Sequence, residues 1–220
     1  MTKLFYAILA NALVAALTNT FVWFAVTFWV YLQTRSVLAT SVMAGIYLVT
    51  VAGSGFFLGS LVDRYKKKTA MMLSSVCSLV LYLFAYGVFI STPAPVFTNP
   101  SSIILWLFII LTLMGAIVGN IRTIALPTLV TILIPKPKHD QANGLVGTTN
   151  GIAFLVASIF SGLAIGFVGV YWMLIMAIAL TVLAIIHLAT IPIPEPGVVH
   201  TKHQTQNIDI RGTIRAIQFV

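Results

Sequence analysis

Gly59-Ser60-Leu61-Val62-Asp63-Arg64-Tyr65-Lys66-Lys67-Lys68 is the densest cluster of charge in the chain. On one side of it, Ser36 to Val62 carry no formal charge; on the other, none occurs from Thr69 to Ile121. A membrane-spanning helix needs about 20 mostly apolar residues. The ten residues therefore read as a short hydrophilic loop between two spans, and the rest of the chain follows by the same rule. Leu4 to Thr34 is uncharged and ends at Arg35. The run from Thr69 to Ile121 is long enough for two spans, divided at the turn formers Ser91-Thr92-Pro93-Ala94-Pro95 and Asn99-Pro100-Ser101-Ser102. After a polar loop at Pro135-Lys136-Pro137-Lys138-His139-Asp140, the run from Gln141 to Pro194 holds two more, divided near Gly166-Phe167-Val168-Gly169. Six spans result, at about 5-32, 38-62, 69-91, 102-122, 142-167 and 170-191. The expected organisation is a helical membrane domain over 1-191 and a Pro-rich, then polar, cytoplasmic linker over 192-220.

Composition agrees with this reading. Charged residues make up 7% of the chain and hydrophobic residues 60%. A soluble domain has roughly 25% charged residues, so this chain lacks the means to cover a water-exposed surface. The net charge of +8 is carried in short loops between apolar runs, which suits anionic lipid headgroups and gives no reason to expect nucleic acid. The single cysteine, Cys77, lies within an apolar run; it forms neither an intramolecular disulfide nor a metal site by itself. No metal or cofactor is expected. The first apolar run is too long for the core of a cleaved signal peptide. Lysine and arginine placement sets the orientation. With the amino terminus in the cytoplasm, Lys3, Arg64, Lys66, Lys67, Lys68, Lys136, Lys138, Lys202, Arg211 and Arg215 are all inside, and Arg35 alone is outside. The expectation is an all-α, multi-pass plasma-membrane protein with a cytoplasmic amino terminus.

The loop that joins the second and third spans resembles the cytoplasmic signature loop of the major facilitator superfamily, Gly-x-Leu-Ala-Asp-Arg-x-Gly-Arg-Arg. Gly59, Leu61, Asp63 and Arg64 match that pattern, Lys67 and Lys68 take its basic positions, and Lys66 stands at its second glycine. A second stretch, Arg122-Thr-Ile-Ala-Leu-Pro-Thr-Leu-Val through Gln141-Ala-Asn-Gly144, is similar to the connection between the fourth and fifth spans in the drug-efflux, macrolide-exporter-like branch. The resemblance implies one six-helix half of that superfamily's fold and a signature loop that latches two halves in one access state. Antiporters of that superfamily often carry Gly-Pro-x-x-Gly-Gly in the fifth span; the corresponding stretch here is Ala157-Ser158-Ile159-Phe160-Ser161-Gly162, where small residues persist without the proline.

Length places one further residue. Ser102 to Ile121 makes about 30 Å of helix, which sets Arg122 at the cytoplasmic boundary, level with Asp63. The two are expected to share a charge network at an inner gate. Asn11, Thr18 and Asn19 in the first span, Asn120 in the fourth and Asn150 in the fifth are candidate cavity-lining residues, against the alternative of ordinary interhelical hydrogen bonding.

These features favour transport by a chain too short for a whole carrier: the expectation is efflux of small, hydrophobic or drug-like molecules by a truncated amino-terminal half. Its expected partners are the lipid bilayer, a small-molecule substrate, and either a missing carboxy-terminal half or a second copy. A non-transporting structural or regulatory membrane protein is the alternative. An intramembrane hydrolase is remote, because Ser54-Gly55 and Ser161-Gly162 lack the glycine that a Gly-x-Ser-Gly nucleophile motif requires two places before the serine. A channel would need a filter-like loop or a ring of charge, and neither is visible.

Overall fold

The computed structural model describes residues 3–194. Its α-helices are α1 (Lys3–Thr34), α2 (Val37–Arg64), α3 (Lys67–Ser91), α4 (Ile103–Gly119), α5 (Ile121–Leu133), α6 (His139–Phe167) and α7 (Gly169–Thr190). α4 and α5 run on as one membrane-length segment, Ile103–Leu133, so six segments are long and apolar enough to cross a bilayer. No strand occurs among the described residues. After Thr190 the chain leaves the helix without regular structure. The remainder of the expected linker, including Ile208 to Arg215, lies outside the described residues.

Local chemistry explains the boundaries. The turn from α1 to α2 uses Arg35 in the left-handed region (φ 52°), followed by Ser36, whose hydroxyl accepts from the Ala39 N–H at 3.1 Å. That bond satisfies one of the N–H groups a helix start leaves open. Ser102 caps α4 in the same way, accepting from the Leu105 N–H. The expected turn between the last two spans falls at Val168 and Gly169; Gly169 has φ +80°, a conformation in which a side chain would be strained.

The fourth span differs from the sequence expectation of 102-122. It continues for another eleven residues past Arg122, to Leu133. A lone arginine does not end an apolar helix when neighbouring helices supply partners for it. Beyond Arg122, the face bearing Ala125, Leu126, Leu129 and Val130 is buried and keeps the segment in the bundle. The helix instead breaks at Asn120, two residues before the charge, where the Thr123 N–H bonds back to the Asn120 carbonyl at 2.9 Å. Pro127 inside α5 removes a further backbone donor.

Packing centres on α1, which contacts α6, α7 and α4, while α3 packs against α4 and α7. α2 is peripheral: Val37, Leu38, Val49, Phe56 and Phe57 all face outward. Two apolar cores form. One gathers Val22, Trp29, Tyr82, Phe97, Phe108 and Met173; the other gathers Phe5, Ile8, Met71, Ile121, Leu129 and Leu188. Between them, four of the segments contribute polar or small residues: Thr18 and Asn19 from α1, Ser75 and Ser78 from α3, Gly119 and Asn120 from the fourth span, and Thr181 from α7. The bundle is thus two dry ends joined by a polar middle layer.

Candidate functional site

Arg122 lies at the edge of that layer and is only 5% exposed. Its Nε donates to Asn11 Oδ1 at 3.2 Å and its Nη2 donates to Ser75 Oγ at 2.8 Å. Asn11 in turn donates from Nδ2 to the Ala184 carbonyl at 2.8 Å, and the Ser75 hydroxyl donates to the Met71 carbonyl at 2.9 Å. One guanidinium therefore ties α5 to α1 and α3, and through Asn11 to α7. Asn11 and Ser75 each lie eight residues from the start of their helices, Lys3 and Lys67. Eight residues make about 12 Å of helix. Arg122 consequently lies about two helical turns in from the starts of α1 and α3. Its hydrogen-bond partners are Asn11 and Ser75, because those two helices pack directly against its side of the fourth span; the side chain of Asp63, its anticipated partner, lies outside the described ones.

Beside Arg122, Asn19 fits against Gly119. A Cβ at position 119 would stand 2.4 Å from Asn19 Oδ1, so only glycine leaves room for this amide. Asn19 Nδ2 donates to Asn120 Oδ1 at 3.3 Å, a long bond. Two small voids flank the pair. One, about 20 Å³, is lined by Asn19, Asn120, Arg122, Thr123 and Asn150 among others. The other, about 10 Å³, is lined by Thr18, Asn19, Ser75, Ser78, Arg122 and Thr181. Each is about the size of a single water. Ser78 closes the second by donating to the Gly115 carbonyl at 2.7 Å.

An aromatic surface adjoins the layer. Trp23 stacks on Tyr47 with ring centroids 3.9 Å apart, and Phe24 meets Phe154 edge-on at 5.3 Å. The Tyr47 hydroxyl lies near the Asn120 side chain. Tyr82 is wholly buried against Gly115, and its hydroxyl has no hydrogen-bond partner. A much larger groove, about 580 Å³, opens at the far end of the bundle between Trp29, Phe89, Phe97 and Tyr171. Its lining is mainly apolar, with no charged group, so it lacks the convergent polar chemistry of the middle layer.

The candidates from sequence are thus distributed over two places. Asn11, Thr18, Asn19, Asn120 and Arg122 meet in the middle layer. Thr18 is satisfied locally, donating to the Val14 carbonyl at 2.8 Å. Asn150 is exposed on α6, at the rim of the first void. The signature-loop residues lie elsewhere, at the junction of α2 and α3. There Leu61 accepts from the Tyr65 N–H, Arg64 is exposed, and a Cβ on Gly59 would meet nothing within 4 Å. Lys67 donates to the Val62 carbonyl at 2.7 Å. Lys68 reaches the end of α7, donating to the carbonyls of Ala189 at 3.1 Å and Ile191 at 2.6 Å. Asp63 falls within the last two residues of α2. Sequence reasoning missed Ser75, Ser78, Tyr47 and Tyr82. The two serines, three residues apart in an otherwise apolar span, carried a usable signal; the tyrosines did not stand out from other span aromatics.

A family description, the Major Facilitator Superfamily, matches residues 8–217. The chain belongs to this superfamily, whose members are transporters, and it is a multi-pass membrane protein with a role in membrane transport. A comparison with curated proteins finds no match.

Proposed function

We propose that this chain forms one six-helix half of an alternating-access exporter of small, hydrophobic or drug-like molecules. In this reading it lies in the plasma membrane with its amino terminus in the cytoplasm and works against a carboxy-terminal half or a second copy. The observation that carries the reading is the middle layer. It joins a stacked Trp23–Tyr47 pair to the amides of Asn19 and Asn120, at the depth where transporters of this architecture bind substrate. The flat aromatic faces suit apolar molecules, and the amides supply orientation. The open faces of α2 and α6 support an opposing half. Cβ atoms at Gly55 and Gly59 on α2, or at Gly144, Gly147 and Gly151 on α6, would meet nothing within 4 Å. Small residues of this kind let helices approach closely. The excess of lysine and arginine at the Lys3 end supports the orientation.

The test is transport in proteoliposomes, using a matched series of naphthalene fluorophores bearing a carboxylate, an amide or an ammonium group. The chain would be reconstituted alone and together with a carboxy-terminal six-helix half from the same superfamily. Transport of at least one compound, in either preparation, and its loss in Trp23→Ala is the expected result. Absence of transport in both would refute the proposal.

A further inference from the structure

Arg122 carries a charge that its surroundings do not balance. Both of its hydrogen-bond partners, Asn11 and Ser75, are neutral. Only two acidic residues occur within 3–194: Asp63 in the last turn of α2 and Asp140 in the first turn of α6. An intramembrane arginine is costly unless it pairs with something or meets water. A guanidinium has five N–H donors, and Asn11 and Ser75 take one each.

We propose that Arg122 is the binding site for the negative group of a carboxylate-bearing organic molecule. The carboxylate enters through the void lined by Asn19, Asn120 and Asn150, and the apolar body of the molecule lies on the Trp23, Tyr47, Phe24 and Phe154 surface. Three observations converge on this assignment. The cation is buried and has no counter-ion among the described side chains. Both voids that touch it are lined by amides, hydroxyls and apolar groups, with no carboxylate to repel an anion. The group between the aromatic surface and the arginine is the Asn19 amide, held to Asn120 only by a 3.3 Å contact, which a stronger ligand can displace. Each void holds about one water, so a carboxylate reaches the guanidinium only as the Asn19 amide is displaced, and the apolar remainder stays outside. Planar two-point pairing with a guanidinium favours a carboxylate over a spherical ion.

This inference rests on the transport reading and narrows its substrates to organic anions. Its test is equilibrium dialysis of the full chain in detergent, in gluconate buffer, with 2-naphthoate, 2-naphthamide and a naphthylmethylammonium salt as probes. Naphthoate is expected to bind saturably, at least about tenfold tighter than the amide or the ammonium compound. Asn11→Asp is the decisive variant. It has nearly the same shape and places a carboxylate beside Nε, but it loses the Nδ2 donor to the Ala184 carbonyl, so its thermal unfolding is measured beside binding. It is expected to weaken naphthoate binding about tenfold or more, because the arginine then has an internal counter-ion. Arg122→Gln is expected to abolish the preference for the anion. Equal binding of the three probes overturns the proposal, as does undiminished naphthoate binding in Asn11→Asp. Full competition by millimolar chloride, with no advantage for naphthoate, would mark an inorganic-anion site and also overturn it. Arg122-dependent binding without transport in proteoliposomes would refute the transport reading alone. Transport of the neutral or cationic compound without naphthoate binding would refute this inference alone.

Discussion

Gly115→Ala isolates the tightest packing in the bundle. A Cβ at this position would stand 2.6 Å from Tyr82 Cε1, 2.9 Å from Cδ1 and 3.1 Å from Cζ. Ordinary contact begins near 3.4 Å, so the ring must retreat by most of an ångström. Tyr82 is fully buried and belongs to the core around Trp29 and Phe108, which leaves it little room to move. Overpacking of this kind costs about 1–3 kcal/mol. Alanine recovers up to about 1 kcal/mol of helix propensity over glycine. The expected net effect is a destabilisation of about 1–2 kcal/mol. Gly87→Ala is the control, because a Cβ on Gly87 of α3 would meet nothing within 4 Å. That variant should keep the propensity gain and be neutral or slightly stabilised. Thermal unfolding in detergent, followed by tryptophan fluorescence, would compare the two. In a Tyr82→Leu background, Gly115→Ala should lose most of its penalty, giving a coupling of about 1 kcal/mol or more. Equal shifts for Gly115→Ala and Gly87→Ala, or no coupling to position 82, would refute the contact-based reasoning.

Further predictions follow from the same geometry. Tyr82→Phe removes a buried hydroxyl that has no partner; it should raise stability by about 1 kcal/mol, read in the same unfolding assay. Ser75→Ala leaves the Nη2 side of Arg122 short of its 2.8 Å acceptor and should destabilise by about 1 kcal/mol, with Ser75→Thr restoring part of the loss. Lys68→Met removes the donor to the carbonyls of Ala189 and Ile191 at the end of α7. Amide exchange over 188–191 should accelerate while that of α1 is unchanged, and unaltered exchange would show that the bond contributes nothing to holding this helix end. Gly119→Ala drives a methyl group into the Asn19 amide; it should perturb the layer locally and lower transport activity without a large loss of stability, because Asn19 is a side chain that can swing.

The number and order of the membrane segments were legible because each is an uncharged run bounded by charge or turn formers, and hydrocarbon tolerates little else. The turn at Gly169 was legible for the same local reason. The length of the fourth span is not legible, because Arg122 ends the uncharged run without ending the helix. A sequence shows that an arginine interrupts an apolar run; it does not show that Asn11 and Ser75, 111 and 47 residues away, stand ready to receive it. The grouping of Asn11, Asn19, Asn120 and Arg122 was foreshadowed by their types but not their pairings, since hydrogen-bond partners on separate helices depend on rotation about each helix axis. Tyr47 and Tyr82 were invisible in this sense: aromatic residues are common in membrane helices, and only packing distinguishes a belt residue from one that adjoins a polar layer.

The division of the fourth span at Asn120 bears on how the protein enters the membrane. α4 alone has 17 residues, about 26 Å of helix, close to the roughly 30 Å thickness of the hydrocarbon. During synthesis this segment can therefore cross the bilayer with Arg122 still among the headgroups. An arginine at the centre of an inserting helix costs about 2.5–3.5 kcal/mol on translocon scales, and the arrangement defers that cost. Asn11 and Ser75 precede Arg122 in the chain, so both acceptors are already in the bilayer when the fourth segment is made. The carbonyl of Ala184, which fixes Asn11, arrives only with the last helix and completes the network.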